Sequence, residues 1–139
     1  MKIKLDKGAI MPTRAHKDDA GLDLYAPSNM PDARLLAGSS VVIDTGVHAE
    51  IPKGYVGFLK SKSGMNVNYG ILNEGVIDAG YTGSIKVKLY NFGCANRYIR
   101  ARDKISQLVI LPILTPDIEL VDELDETERG NNGFGSTGR

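Results

Sequence analysis

The sequence predicts an all-β protein, a barrel or a double sheet of short strands. Two observations carry this. Sixteen glycines and six prolines interrupt most windows of helical length. Between them, short alternating or β-branched runs recur, bounded by turn residues. No internal repeat of fixed period accompanies them.

Each run has its own reason. Lys2–Leu5 (KIKL) alternates. Ser40–Asp44 (SVVID) is β-branched and precedes Thr-Gly. Val47–Ile51 alternates and stops at the turn signal Pro-Lys-Gly, after which Tyr55–Lys60 (YVGFLK) begins. Gly75–Asp78 (GVID) is short. Ser84–Asn91 (SIKVKLYN) is the cleanest, with Ile85, Val87 and Leu89 on one side and Lys86 and Lys88 on the other. Lys104–Leu114 (KISQLVILPIL) is apolar enough to be buried on both faces. One helix of one or two turns is expected at Ser63–Gly70.

With 139 residues, 42% of them hydrophobic, one domain with a real core is expected. Residues 1–120 form that β domain. From 121 the chain turns acidic, then glycine-rich, and reads as a C-terminal arm, 121–139. Lys+Arg and Asp+Glu balance at 17 each, so neither bulk nucleic-acid nor membrane binding is expected. The apolar stretch Leu108–Leu114 is too short to span a bilayer. Cys94 is the sole cysteine, and the N-terminus has no apolar signal core. A soluble, intracellular, cytoplasmic protein is expected.

Five stretches carry candidate chemistry. In GVIDAGYTG, Asp78 follows two apolar residues; desolvation there would make its carboxylate a better general base. Tyr81 offers a ring between glycines. A plain β-turn capped by Asp78 is the competing reading. In SKSG, Ser61 to Gly64 open a short helix: the Lys62 ammonium, a serine hydroxyl such as that of Ser63 and backbone N–H groups suit phosphate, or a serine is simply the helix N-cap beside solvated lysines. Asp23 in AGLDLYAP either faces water or holds a hydrated metal ion. Gln107, inside an apolar strand, belongs to a core network or to a ligand. The tail RGNNGFGSTG is either a loose end or a phosphate-binding loop, with Arg129 as a bidentate fork. His16, His48 and Cys94 are too scattered to suggest a zinc site.

Taken in order, AGLDLYAP, SKSG, NEGVIDAGYTG, RDKISQL and RGNNGFGSTG resemble the five motifs of the trimeric deoxyuridine triphosphate nucleotidohydrolases, across residues 20 to 138. The resemblance implies an antiparallel jelly-roll, a dUTPase-like β-clip, forming a homotrimer with a flexible C-terminal arm. It implies shared active sites that hydrolyse the substrate dUTP to dUMP and pyrophosphate with Mg²⁺. That activity would limit uracil incorporation into DNA and supply dUMP for dTMP synthesis. By matching position, Asp78 activates the attacking water and Tyr81 packs under the deoxyribose. Asn73, Gly75, Val76 and Ile77 belong to the uracil-reading segment, where strand backbone presents both N–H and C=O. Lys62, Ser63, Gly64 and Gln107 contact phosphate, Gln107 standing with Asp78 in the catalytic set; Lys86 joins the substrate-binding set. Asp23 holds Mg²⁺ through water. Arg129, Phe134, Gly135, Ser136 and Thr137 close the arm over a neighbour's site.

Departures are specific. Lys62 stands where the family usually has arginine, losing the planar fork. Gly80 stands where a second acid is frequent, and Asn132 where a glycine is common. Gly80 also suggests the related dCTP deaminases, but these need a glutamate where this chain has Lys88. Phage-encoded members of the family are reported to bind regulatory proteins; this chain has no large insertion to advertise such a surface.

Overall fold

A computed structural model describes residues 1–131. Eleven strands and one short helix follow in order: β1 Ile3–Leu5, β2 Gly21–Tyr25, β3 Ala33–Leu35, β4 Ser40–Asp44, β5 Val47–Ala49, β6 Tyr55–Lys60, α1 Ser63–Tyr69, β7 Ile71–Leu72, β8 Glu74–Ile77, β9 Lys86–Asn91, β10 Arg97–Ile99 and β11 Lys104–Pro112. All pairings are antiparallel. One sheet runs β2-β11-β6-β8 and another β4-β9-β7; β1-β5 and β3-β10 form two-stranded ribbons.

The core lies between these layers. Leu24, Leu59, Ile77, Ile105 and Leu108 from the first sheet meet Ile43, Ile71, Val87 and Leu89 from the second, with Leu35 and Ile99 from the β3-β10 ribbon. The alternation read in Ser84–Asn91 holds. Ile85, Val87 and Leu89 are buried while Lys86 and Lys88 are exposed. Pairing begins only at Lys86, because Ile85 bonds the β4–β5 corner through Thr45 and Val47.

Three expectations need correction. β11 is buried in its middle, but Leu111, Pro112, Ile113 and Leu114 are exposed. The strand ends at Pro112, and Ile113 N–H makes a bond to Gly54 O, 2.9 Å, before the chain leaves the sheet. No serine is the helix cap; Lys62 occupies that position, and its side chain makes no capping bond. The strands β3, β7 and β10 carried no sequence signal. They are two or three residues long and exist because they meet partners distant in sequence.

Candidate active site

The four-stranded sheet lines up one row of polar residues. Asp23 of β2 sits opposite Gln107 of β11, Gln107 opposite Lys60 of β6, and Lys60 opposite Glu74 of β8. Cross-strand partners share a face, so the row stands together, while the neighbouring row of Leu22, Leu108 and Leu59 supplies apolar side chains.

Asp23 does not face water. It is 3% exposed. Lys62 donates a short hydrogen bond to its Oδ1, and Lys104 Nζ lies 2.9 Å from Oδ2 as an ion pair without hydrogen-bond geometry. Burial pushes this carboxyl up. The two ammoniums outweigh burial and hold it below the usual carboxylate range, and Asp23 in turn raises Lys104. The backbone of Thr13 bridges that of Asp23 from the other side.

Gln107 is half-buried, and its Nε2 donates to Ser61 O at 3.0 Å. Ser61 is the residue that the sequence left unassigned. Its hydroxyl accepts from Asn73 N–H at 2.8 Å and donates to Asn73 C=O at 3.0 Å. The backbone groups of Asn73 are therefore occupied. Its side-chain amide, 6% exposed, has no protein partner at either polar atom. A buried amide left so is costly unless a ligand satisfies it. The amide offers one donor and one acceptor side by side, the pairing that the edge of a base carries. Beyond Asn73, among the described residues β8 is an edge strand paired only with β6, which leaves alternate backbone groups of Gly75, Val76 and Ile77 facing outward. Ser63 and Gly64 are exposed at the start of α1.

Asp78 and Tyr81 lie elsewhere. They bracket a turn after the far end of β8, roughly 13 Å along the strand from Glu74 at about 3.3 Å per residue. Tyr81 N–H donates to Asp78 O at 3.2 Å. Gly80 has φ +88 at the third position, as a type II turn requires. That geometry explains the glycine where an acid is frequent. Asp78 is exposed, so the desolvation expected from its apolar neighbours is not supplied by the described residues. Ile77 points into the core and Val76 outward, as strand alternation dictates, and the carboxylate follows outward after the strand ends.

The Tyr81 ring lies back over Gly83, where a Cβ would come within 2.4 Å of the Tyr81 hydroxyl, and that hydroxyl donates to Ser84 O at 3.0 Å. Ser84 Oγ bonds Asp44. Lys86 is exposed across from Asp44. Lys88 is exposed over the Tyr90 ring. Thus Asp23, Lys62, Gln107 and Asn73 come together within one chain, and Asp78 with Tyr81 forms a separate group. Arg129 is exposed in the arm. Phe134, Gly135, Ser136 and Thr137 lie outside the described residues.

Among the described residues, no cluster of three His, Cys, Asp or Glu could hold a metal ion. No helix is long and apolar enough to cross a membrane.

Comparison with known proteins adds a family. The dUTPase family model matches residues 7–138. The deoxyuridine 5'-triphosphate nucleotidohydrolase of Escherichia phage T5 is 40% identical, over 99% of this chain and 98% of its own length. Among solved structures, a Staphylococcus bacteriophage 80alpha dUTPase mutant with dUpNHpp superposes with TM-score 0.90 at 33% identity, covering 99% of this chain and 98% of that one. A dUTPase mutant from phage phi11 of S. aureus, described for its coordination of a structural Mg(II) ion, superposes at 0.80 with 31% identity, covering 90% and 98%.

Proposed function

The chain belongs to the dUTPase family, and from that premise we propose that it hydrolyses dUTP to dUMP and pyrophosphate at sites shared within a homotrimer. The observation that carries this reading is the buried Asn73 side-chain amide with neither polar atom paired, on a residue whose backbone Ser61 holds, close to the lysine-lined Asp23. It is a base-reading group next to a cationic one.

In this reading Asn73 and the free backbone of β8 take the uracil edge, and Tyr81 packs beneath the deoxyribose. Lys62, Ser63, Gly64 and Gln107 contact the phosphates, and Lys86 completes the substrate-binding set. Asp78 accepts the proton of a water whose oxygen attacks the α-phosphorus. The bond to the bridging oxygen breaks and pyrophosphate leaves. The exposed Asp78 carboxylate becomes a desolvated base only when substrate and a neighbouring subunit cover it. The separation of Asp78 and Tyr81 from the Asp23–Lys62–Gln107 group along β8 supports sites assembled from more than one chain. The arm, residues 121–139, with Arg129, Phe134, Gly135, Ser136 and Thr137, closes over the nucleotide and excludes water.

Mg²⁺ is assigned to the substrate. The described residues do not build a site for it, and Asp23 already faces two ammoniums. Mg²⁺ usually keeps several waters and leans on substrate phosphates, so Asp23 reaches it only through water and only where Lys62 yields. Bound there, the ion would neutralise phosphate charge.

The test is direct. Asp78→Asn should lower kcat for dUTP by about 10²–10⁴-fold while dUpNHpp binding is retained. Turnover at the parent rate would place the base elsewhere. Ammonia release from dCTP would revive the deaminase reading.

A further inference from the structure

Outside every motif described above, His48 projects from β5 towards the turn that carries Asp78 and Tyr81. Its side chain is 17% exposed. Nδ1 lies 2.8 Å from the carbonyl oxygen of Thr82, the residue after Tyr81. Nε2 lies 2.9 Å from Asp6 Oδ2, just beyond β1. Lys4, paired with His48 across the ribbon, approaches Asp6 Oδ1 at 3.6 Å. Lys2 and Glu50 stand on the rim of the same cleft, paired with each other at 3.0 Å.

A carbonyl oxygen only accepts, so Nδ1 must carry a proton. A carboxylate only accepts, so Nε2 must carry one too. The geometry is that of an imidazolium donating at both ends. We propose that His48 is a positioning residue: its imidazolium ties the carbonyl of Thr82 to Asp6 and so holds the Asp78–Tyr81 turn in its working shape.

A direction with pH follows. The bond to Asp6 and the bond to Thr82 O raise His48 above its ordinary value, against burial and the Lys4 charge; His48 lowers Asp6. Below the raised value both bonds stand. As pH rises through it, one proton leaves. The proton that remains stays on Nε2, facing the charged acceptor, because charge-assisted hydrogen bonds are the stronger. Thr82 then loses its donor and the turn loosens on the alkaline side, within the range where histidine titrates.

This inference rests on the dUTPase reading, and the experiment keeps the two apart. The chain has two histidines, so a His16→Gln protein leaves His48 as the single imidazole. Its ring nitrogens, followed by NMR through pH 5.5–9 in the trimeric protein without nucleotide, should report an imidazolium at pH 6. The Tyr81 ring signals, assigned with Tyr81→Phe, should move with the same midpoint. A neutral His48 ring at pH 6, or Tyr81 signals indifferent to its titration, overturns the proposal whatever the enzyme does.

Kinetics supply the second arm. The ratio of parent to His48→Ala kcat/KM for dUTP cancels titration of the substrate itself. It should be about fivefold at pH 6, the worth of one hydrogen bond, and approach one by pH 9. His48→Asn, which keeps a donor near the Nδ1 position, should restore the pH 6 value and lose the alkaline fall. A ratio that is flat with pH refutes the positioning role. A parent that leaves dUTP unchanged instead refutes the dUTPase reading, and the NMR arm then still decides on His48.

Discussion

At the scale of single residues, two positions show opposite economies. Arg102 sits at φ +72, the described non-glycine residue with positive φ, in the turn where Arg100 N–H donates to Asp103 Oδ2 at 2.7 Å. A side chain there costs about 1–2 kcal/mol. Arg102→Gly should relieve that strain and raise unfolding free energy by about 1 kcal/mol after the entropy of the more flexible unfolded chain is deducted. A urea midpoint that fails to rise would show that the rest of the Arg100–Asp103 turn carries the strain instead. Ser61 is the reverse case, one hydroxyl serving both backbone groups of Asn73. Ser61→Ala leaves a part-buried N–H and C=O unpaired, at about 1–3 kcal/mol. The Asn73 amide would lose its fixed position. KM for dUTP should rise several-fold with a smaller change in kcat, and Ser61→Thr should recover most of it. An equal fall in kcat and kcat/KM would point to a role in the transition state instead.

At the scale of elements, the β8-to-β9 connection decides where Asp78 and Tyr81 point. Nothing lies within 4 Å of a Cβ built at Gly80, so Gly80→Ala is resisted by backbone conformation alone. It should cost about 1–2 kcal/mol of stability and lower kcat as Asp78 and Tyr81 swing apart. Unchanged urea unfolding with normal turnover would mean the turn tolerates another shape. The Tyr81–Ser84 and Ser84–Asp44 bonds tie the same connection to β4, so the turn is anchored at its second half and depends on Gly80 for its first.

For the whole molecule, the exposed apolar residues speak to assembly. Leu114, Ile118, Leu120 and Leu124 are each at least 86% exposed in the segment after β11. At about 25 cal/mol per Å² of apolar surface, several such side chains favour burial against another copy. Mass measurement in solution should give a trimer of the 15.0 kDa chain. Removing residues 128–139, which leaves those apolar residues in place, should preserve the trimer and collapse dUTP turnover. Full activity in the truncated protein would show that Arg129 and the glycine-rich end take no part.

Much of this molecule is legible in its sequence because the information is local. The alternation of Ile85, Val87 and Leu89 fixes which face of β9 is buried, and glycine at 80 anticipates a turn with positive φ. The ordered motifs single out Asp23, Lys62, Asn73, Asp78, Tyr81 and Gln107. Other features come from residues far apart in the chain. The pairing of β3 with β10 joins segments that carry no strand signal of their own. Alternation left Asp23 to water or to a hydrated metal ion, yet Lys62, just after β6, and Lys104 of β11 cover and pair with it. His48 has no motif, and Ser61 opens SKSG without a role of its own there; each matters through partners reached only in the folded chain, Ser61 through Asn73 and Gln107, His48 through Asp6 and Thr82. By itself the sequence was enough for the fold class and the family, and it marked the groups proposed for the chemistry, since periodicity and motif spacing are properties of neighbours along the chain. Which of those groups are paired, buried or exposed follows from the folded chain alone, because hydrogen bonds and ion pairs depend on distance in space.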